Sequence, residues 1–310
     1  MDRKKMSAPS IEDVLRANKP DVSASSIRTY ASLVKSFGKQ MGVVLDSPAD
    51  VIKHYRAYLY HIKDMSPDNR KTRLSALIAF VKGDPSGAEA VAAFQRSMTH
   101  VNEEMAEVAD DQKQNEKQKE AMVPLKEVMD KYYALEKEVE PLEEKDDLTK
   151  EEFARYQMYV MLSCILLPES RRSMDWTEFK LRNINEAEDN FLRVVKRKPY
   201  LVFNKHKNAA ARGQEVVACP MKLYKIIKQS WFTKNKSDWL LLNKGQTGKI
   251  NSTQFTKLLY DFFGSNISTN ILRHIRITDK FGDLPPLKEM KNVAKAQGHS
   301  LEMMLNYVKK

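Results

Sequence analysis

The stretch "LTKEEFARYQMYVMLSCILLPESRRSMDW", residues 148–176, decides how this chain is read. Thr149 followed three residues later by Glu152 is a capping box, so a helix starts at Lys150. From Tyr156 to Leu167 its residues are apolar on almost every side. A helix of that kind lies inside a domain rather than on its surface. The uncharged run "YVMLSCILL" is far too short to cross a bilayer. This segment is therefore the core helix of a domain, and it leaves through Pro168 into two adjacent arginines, Arg171 and Arg172. An arginine pair at a helix C-terminus has an ordinary use, complementing the helix dipole, and a chemical one, clamping an anion.

On the N-terminal side the pattern is helical from Ile11 to about residue 102. "SASSIRTYASLVKSFGKQMG" offers Ser25 or Ser26 as N-cap, apolar Ile27, Tyr30, Leu33, Val34 and Phe37 at helical spacing, and a glycine stop. "SPADVIKHYRAYLYHIK" and "SPDNRKTRLSALIAFVKG" each open with Ser-Pro, the cap and first helical position. "GAEAVAAFQRSMTHV" is a further helix. Residues 103–120 are polar and lack apolar periodicity, which marks a helical extension or a charged linker. On the C-terminal side, "NFLRVV", "YLVFNKHK" and "QEVVACP" carry the only strand signal, separated by basic, turn-like segments. Helices follow to the end of the chain. The expectation is an α+β chain, mainly α with a small antiparallel three-stranded sheet. Residues 1–10 are expected to be disordered, 11–102 to form a helical domain, and 121–310 to form a second, mixed domain.

The 310 residues carry a net charge of +11, unevenly spread. Between Glu103 and Asp147 stand 16 acidic and 7 basic residues, a local charge of −9, which leaves +20 for the rest. A chain so basic outside one acidic stretch points to a polyanion, most simply nucleic acid. Two cysteines in apolar surroundings suggest neither a disulfide framework nor a metal cluster. The charged N-terminus has no apolar run of a secretory signal, so a soluble intracellular protein, with no membrane partner, is expected.

No Gly-rich phosphate loop, HExxH, CxxC or GxSxG motif is present, so nucleotide hydrolysis, metalloprotease and serine-hydrolase chemistry lack their usual parts. The notable groups are cationic: Arg171 and Arg172, Lys205 and Lys207 in "FNKHKN", Arg273 and His274 in "TNILRHIR", and His299 in "GHS". Singly, each has a structural explanation. Together with a tyrosine they form a set for phosphoryl transfer without a metal or other cofactor. Guanidiniums clamp non-bridging oxygens, a lysine protonates a leaving oxygen, histidines hydrogen-bond the phosphate or move protons, and tyrosine is the nucleophile.

The order of these motifs resembles the tyrosine recombinase (phage-integrase) family over nearly the whole chain. "LLPESRRSMDW" is similar to the first arginine box as found in integrases of large eukaryotic DNA viruses and virophages, and it aligns Arg172 with that arginine. "NKHKNAAARGQEVVACP" aligns Lys207, or alternatively Lys205, with the family's hairpin lysine. "NILRH" aligns Arg273 with the second arginine and puts Asn270 where the family usually has His or Lys. "GHS" supplies His299, and Tyr307 follows at a spacing of eight where nine is commoner.

The resemblance implies a helical core-binding domain and a mixed catalytic domain that clamp duplex DNA. It implies catalytic roles for Arg172, Lys207, Asn270, Arg273, His299 and Tyr307, and DNA strand cleavage and rejoining through a 3′-phosphotyrosyl bond without ATP or metal. The active form would be a tetramer on two DNA sites, a dimer on each, built from monomers, working in a nucleus or viral factory if viral. Arg28, Lys35, Arg70, Lys71 and Arg73 are candidate phosphate contacts on polar helix faces, joined by Lys205 and His274. A type IB topoisomerase and a catalytically inactive DNA-binding descendant are the alternatives.

Overall fold

The computed structural model describes residues 9–45, 47–111, 114, 116–297 and 300–307, apart from the side chains of Lys117, Met303, Asn306 and Tyr307. The chain divides into two compact units, one of Met1–Lys113 with Pro285–Lys310 and one of Gln114–Leu284. The expected disorder of residues 1–10 falls mostly outside the described residues. Ser10 is inside them and caps the first helix, with a reciprocal bond from Asp13.

The first unit is built on α1 (Ile11–Asn18), α2 (Ala24–Met41), α3 (Pro48–Ile62), α4 (Pro67–Val81) and α5 (Ala88–Asp110). Its core is Leu15, Ile27, Val34, Phe37, Val51, Tyr58, Leu74, Leu77, Phe80 and Phe94. The helix starts at Ser47-Pro48 and Ser66-Pro67 fall as the sequence predicts. The cap of α2 is Ser23 rather than Ser25 or Ser26, and its side chain accepts the N–H of Ser26. Asn18 at the end of α1 donates to the carbonyls of Ala79 and Phe80, at 2.9 and 3.1 Å, and so ties α1 to α4. The predicted linker begins inside a helix, because α5 continues to Asp110.

The second unit holds α6 (Glu116–Ala121), α7 (Leu125–Val139), α8 (Lys150–Leu166), α9 (Ser173–Thr177), β1 (Phe179–Lys180), β2 (Asn190–Val195), β3 (Lys198–Phe203), α10 (Ala209–Arg212), β4 (Glu215–Ala218), α11 (Met221–Lys225), a π-turn over Ile226–Trp231 that leads into α12 (Phe232–Lys234), α13 (Ser252–Phe263) and α14 (Thr269–Phe281). The capping box of Thr149 and Glu152 forms as read. Every residue from Tyr156 to Leu166 is buried, so α8 is the core helix. Tyr156 stacks on Trp231, and Gln157 satisfies both backbone groups of Leu242, at 2.7 and 3.0 Å. The sheet departs from expectation. It has four strands in the order β1-β2-β3-β4, and β1 pairs with β2 in parallel, so it is mixed. The two-residue β1 was too short to leave a periodic signal.

The last elements, α15 (Leu287–Ala296) and α16 (Leu301–Tyr307), belong to the first unit. Lys288 and Lys291 of α15 pair with Asp111 and Asp110 at the end of α5, at 3.0 and 2.6 Å. The sequence predicts a second domain that runs to residue 310, whereas the second compact unit stops at Leu284.

Two of the candidate phosphate contacts are internal to the first unit. Arg73 is half-buried and reaches Tyr58, Gln40 and Ser36, at 3.2, 3.3 and 3.5 Å, bridging α4 to α2 and α3. Arg70 has its side chain 12% exposed and pairs with Glu104 of α5. Neither lies on a free polar face. Arg28 and Lys35 on α2 and Lys71 on α4 are exposed. Arg73→Ala is expected to destabilise the protein by roughly 1–3 kcal/mol in urea unfolding, the cost of orphaning hydrogen-bonded groups. Lys35→Ala should stay within about 0.5 kcal/mol of wild type.

Candidate active site

Three short segments carry the cations predicted from the sequence, and each is fixed by a buried polar contact. After α8 the chain passes Pro168 and reaches Arg172, the N-cap of α9. Arg276, on the inner side of α14, donates to the carbonyls of Ile165, Leu166 and Pro168, at 3.1, 3.0 and 2.5 Å. The end of α8 is thus capped by a guanidinium from another helix. This contact holds α14, three residues from Arg273, against the segment that leads to Arg172.

Asn190 joins that segment to the β3–β4 connection. It is fully buried at the start of β2. Its amide donates to the carbonyls of Asp175 in α9 and Lys205, at 2.9 and 2.8 Å, and its oxygen accepts the N–H groups of Asn204 and Lys205, at 2.8 and 2.7 Å. A second link is ionic. Arg171 bonds Asp175 and Glu215, at 2.8 and 2.7 Å, and lies over the ring of Phe203. The Arg171 guanidinium holds the Glu215 carboxyl below the usual range. Buried His206 bonds the carbonyl of Gly213 at 2.9 Å and closes the β3–β4 connection on itself.

Within this frame the cations separate into bound and unbound members. Arg171 is paired, while its neighbour Arg172 is half-buried and has no hydrogen-bond or ion-pair partner among the described residues. Lys205 pairs with Asp189 at 2.9 Å, while Lys207 is exposed and has no such partner. The bond to Asp189 holds the Lys205 ammonium above its ordinary value, which suits a structural cation and not a proton donor. Arg276 is spent on carbonyls, while Arg273 is half-buried and has no hydrogen-bond or ion-pair partner among the described residues. Asn270 is exposed one turn before Arg273.

His274 is half-buried beside Gln118 of α6, with the ring and amide nitrogens 3.4 Å apart, so it joins two helices rather than facing solvent freely. His299 and the side chain of Tyr307 lie outside the described residues; the backbone of Tyr307 ends α16. Other nucleophile candidates are disfavoured by their surroundings. Burial raises the hydroxyls of Tyr132, Tyr156 and Tyr159 and the thiol of Cys164, and pushes the Cys219 thiol up to about 12. No group of three or more His, Cys, Asp or Glu among the described residues is arranged to hold a metal. No helix among them is long and apolar enough to cross a membrane.

The sequence reading did not find Asp175, Asp189, Asn190, His206, Glu215 or Arg276 as the supports of this site. A local signal existed only for Asp175, which stands four residues after Arg171. No family model matches the chain. No curated protein is significantly similar to it.

Asp189 offers a test of the frame. Burial alone would raise its carboxyl, but the N–H of Asn185 and the ammoniums of Lys180 and Lys205 outweigh burial and hold it at about 2. A depressed folded-state value gives stability that is complete above the unfolded value near 4 and is lost as pH falls through about 2. Wild type should therefore exceed Asp189→Asn by about 2 kcal/mol at pH 6 in urea unfolding, and the gap should shrink between pH 4 and pH 2. A gap independent of pH would show that the carboxylate charge is not what holds Lys180 and Lys205.

Proposed function

We propose that the protein cleaves and rejoins duplex DNA as a site-specific tyrosine recombinase, with Tyr307 as nucleophile. The observation that carries this reading is the set of three unpartnered cations, Arg172, Lys207 and Arg273, each with a neighbour or near neighbour that is locked in structure. Ordinary surface cations are unpaired too, but these three come from segments tied together by Asn190, Arg171 and Arg276. Guanidinium and ammonium groups without a carboxylate partner are open to an anion.

In this proposal the Tyr307 oxygen attacks a backbone phosphorus as its hydroxyl proton passes to solvent. The bond from phosphorus to the 5′ oxygen breaks, and the phosphate stays on the 3′ side as a phosphotyrosyl ester. Arg172 and Arg273 hold the two non-bridging oxygens and offset the charge that builds on them. Asn270 and His299 assist at the phosphate. Lys207 gives its proton to the departing 5′ oxygen. The 5′-hydroxyl of a partner strand reverses the step, so the energy of the broken bond is retained in the ester and no nucleotide or metal is consumed. In the proposal a helical domain of residues 11–102 and a catalytic domain of residues 121–310 clamp duplex DNA, and four copies on two sites complete the exchange. The exposed cations Arg28, Lys35 and Lys71 are phosphate contacts of the first unit.

The experiment uses nicked duplexes selected for binding from a random-sequence pool, incubated in EDTA. A covalent adduct that survives detergent is expected with wild type and not with Tyr307→Phe. An equal yield from Tyr307→Phe would sink the nucleophile assignment. Arg172→Ala should lower the adduct-forming rate by about 100-fold or more, with much less loss of DNA affinity. Lys207→Ala should be slow on ordinary DNA and recover on a duplex whose leaving oxygen is replaced by sulfur, because a thiolate departs without a proton. Lys205→Ala should show no such selective recovery.

A further inference from the structure

The tightest turn of the sheet has the wrong residues for its shape. β2 and β3 are joined by two residues, with Val195 paired to Lys198 across the turn. Both connecting residues have positive φ, 49° at Lys196 and 66° at Arg197. This is the backbone of a two-residue hairpin that favours Asn-Gly, because in the left-handed conformation Cβ crowds the following carbonyl oxygen. Here the two strained positions carry a lysine and an arginine, and a third cation, Lys198, follows. All three are exposed and none has an ion-pair or hydrogen-bond partner among the described residues. Val194 and Val195 beside them are 48% and 44% exposed, so the tip stands clear of the core.

The tip is also far from the cations already described. Lys198 and Phe203 are the two ends of β3, and Lys207 follows Phe203 in the β3–β4 connection. Five residue steps of strand span about 17 Å, so the tip lies at the opposite end of the sheet from Lys207. Along one DNA strand that distance covers about five phosphates.

We propose that Lys196, Arg197 and Lys198 form a second phosphate-binding site, which grips the DNA backbone at a distance from the cleaved phosphate. The strained turn is kept because it drives two long cationic side chains outward from a rigid hairpin. The proposal rests on the reading that this protein acts on duplex DNA. DNA is favoured over an anionic membrane because the same unit carries the unpartnered Arg172, Lys207 and Arg273 and the apolar shoulder is only two valines wide.

Two double variants separate charge from turn geometry. Lys196→Asn with Arg197→Gly installs the favoured turn and removes two charges. Lys196→Gln with Arg197→Gln removes the charges and keeps the strain. Fluorescence anisotropy with a mixed-sequence duplex of about 30 base pairs measures affinity across a salt series. Both variants should flatten the slope of log affinity against log salt by about 1.8, the contribution of two phosphate contacts. Affinity at 0.1 M salt should fall about tenfold or more. Only the Asn-Gly variant should also melt higher, by a few degrees. At saturating DNA both should still form the Tyr307 adduct, since neither touches the three unpartnered cations.

An unchanged slope in both variants, with wild type binding normally, would overturn the second site and leave the recombinase reading intact. Binding of wild type to phosphatidylserine vesicles that is lost in both variants, with an unchanged DNA slope, would assign the tip to a membrane and overturn it as well. Failure of wild type to bind duplex DNA with a salt-dependent affinity would remove both readings together.

Discussion

The four hydrogen bonds of Asn190 are the constraint on which the second unit's site depends. A primary amide buried without partners is costly, and this one is satisfied only if the α9 carbonyl of Asp175 and the backbone of Asn204 and Lys205 meet at one point. That requirement fixes how the segment after α8 and the segment after β3 lie together. Arg171 adds an ionic tie between the same two segments, and Arg276 brings in the third by capping α8. None of these groups is free to meet a substrate. Their effect is to set where Arg172, Lys207 and Arg273 stand.

Asp175, Asp189 and Glu215 bond the neighbouring cations Arg171 and Lys205 and leave Arg172 and Lys207 without a partner among the described residues. Lys180 and Lys205 are both bonded to Asp189, so removing that carboxylate releases two more cations into the same region.

Much of the fold was legible because its signals are local. The capping box at Thr149, the Ser-Pro starts of α3 and α4 and the all-round apolar character of α8 each need only a few adjacent residues, and each forms. The strand β1 has two residues and exists through its pairing with Asn190 and Phe191, so no window of sequence could show it. The candidate site was legible as a set of residue types, and only the resemblance distinguished Arg172 from Arg171 and Lys207 from Lys205. What separates them is the position of Glu215 and Asp189, which are distant in the chain. Arg70 and Arg73 misled for the same reason: they sit at ordinary surface spacing on α4, and only the placement of Glu104, Tyr58 and Gln40 turns them inward.

The uneven charge of the chain then takes on a different meaning. Several carboxylates of the acidic stretch from Glu103 to Asp147 are engaged within each unit. In the first unit Glu104 binds Arg70, and Asp110 and Asp111 bind Lys291 and Lys288. In the second, Glu136 binds Lys222 and the hydroxyl of Tyr159, and Glu138 binds Arg155. Those pairs withdraw their cations from any external partner. Exposed cations without an ion-pair or hydrogen-bond partner among the described residues remain in both units, among them Arg28, Lys35 and Lys39 on α2, Lys53 on α3, Lys71 on α4, Lys137 on α7, Lys207 and the β2–β3 tip. Helix α2 contains no acidic residue along its 18-residue length, and Arg28, Lys35 and Lys39 are all exposed there. The placement of those exposed cations, and not the net charge alone, sets the potential that a polyanion would meet.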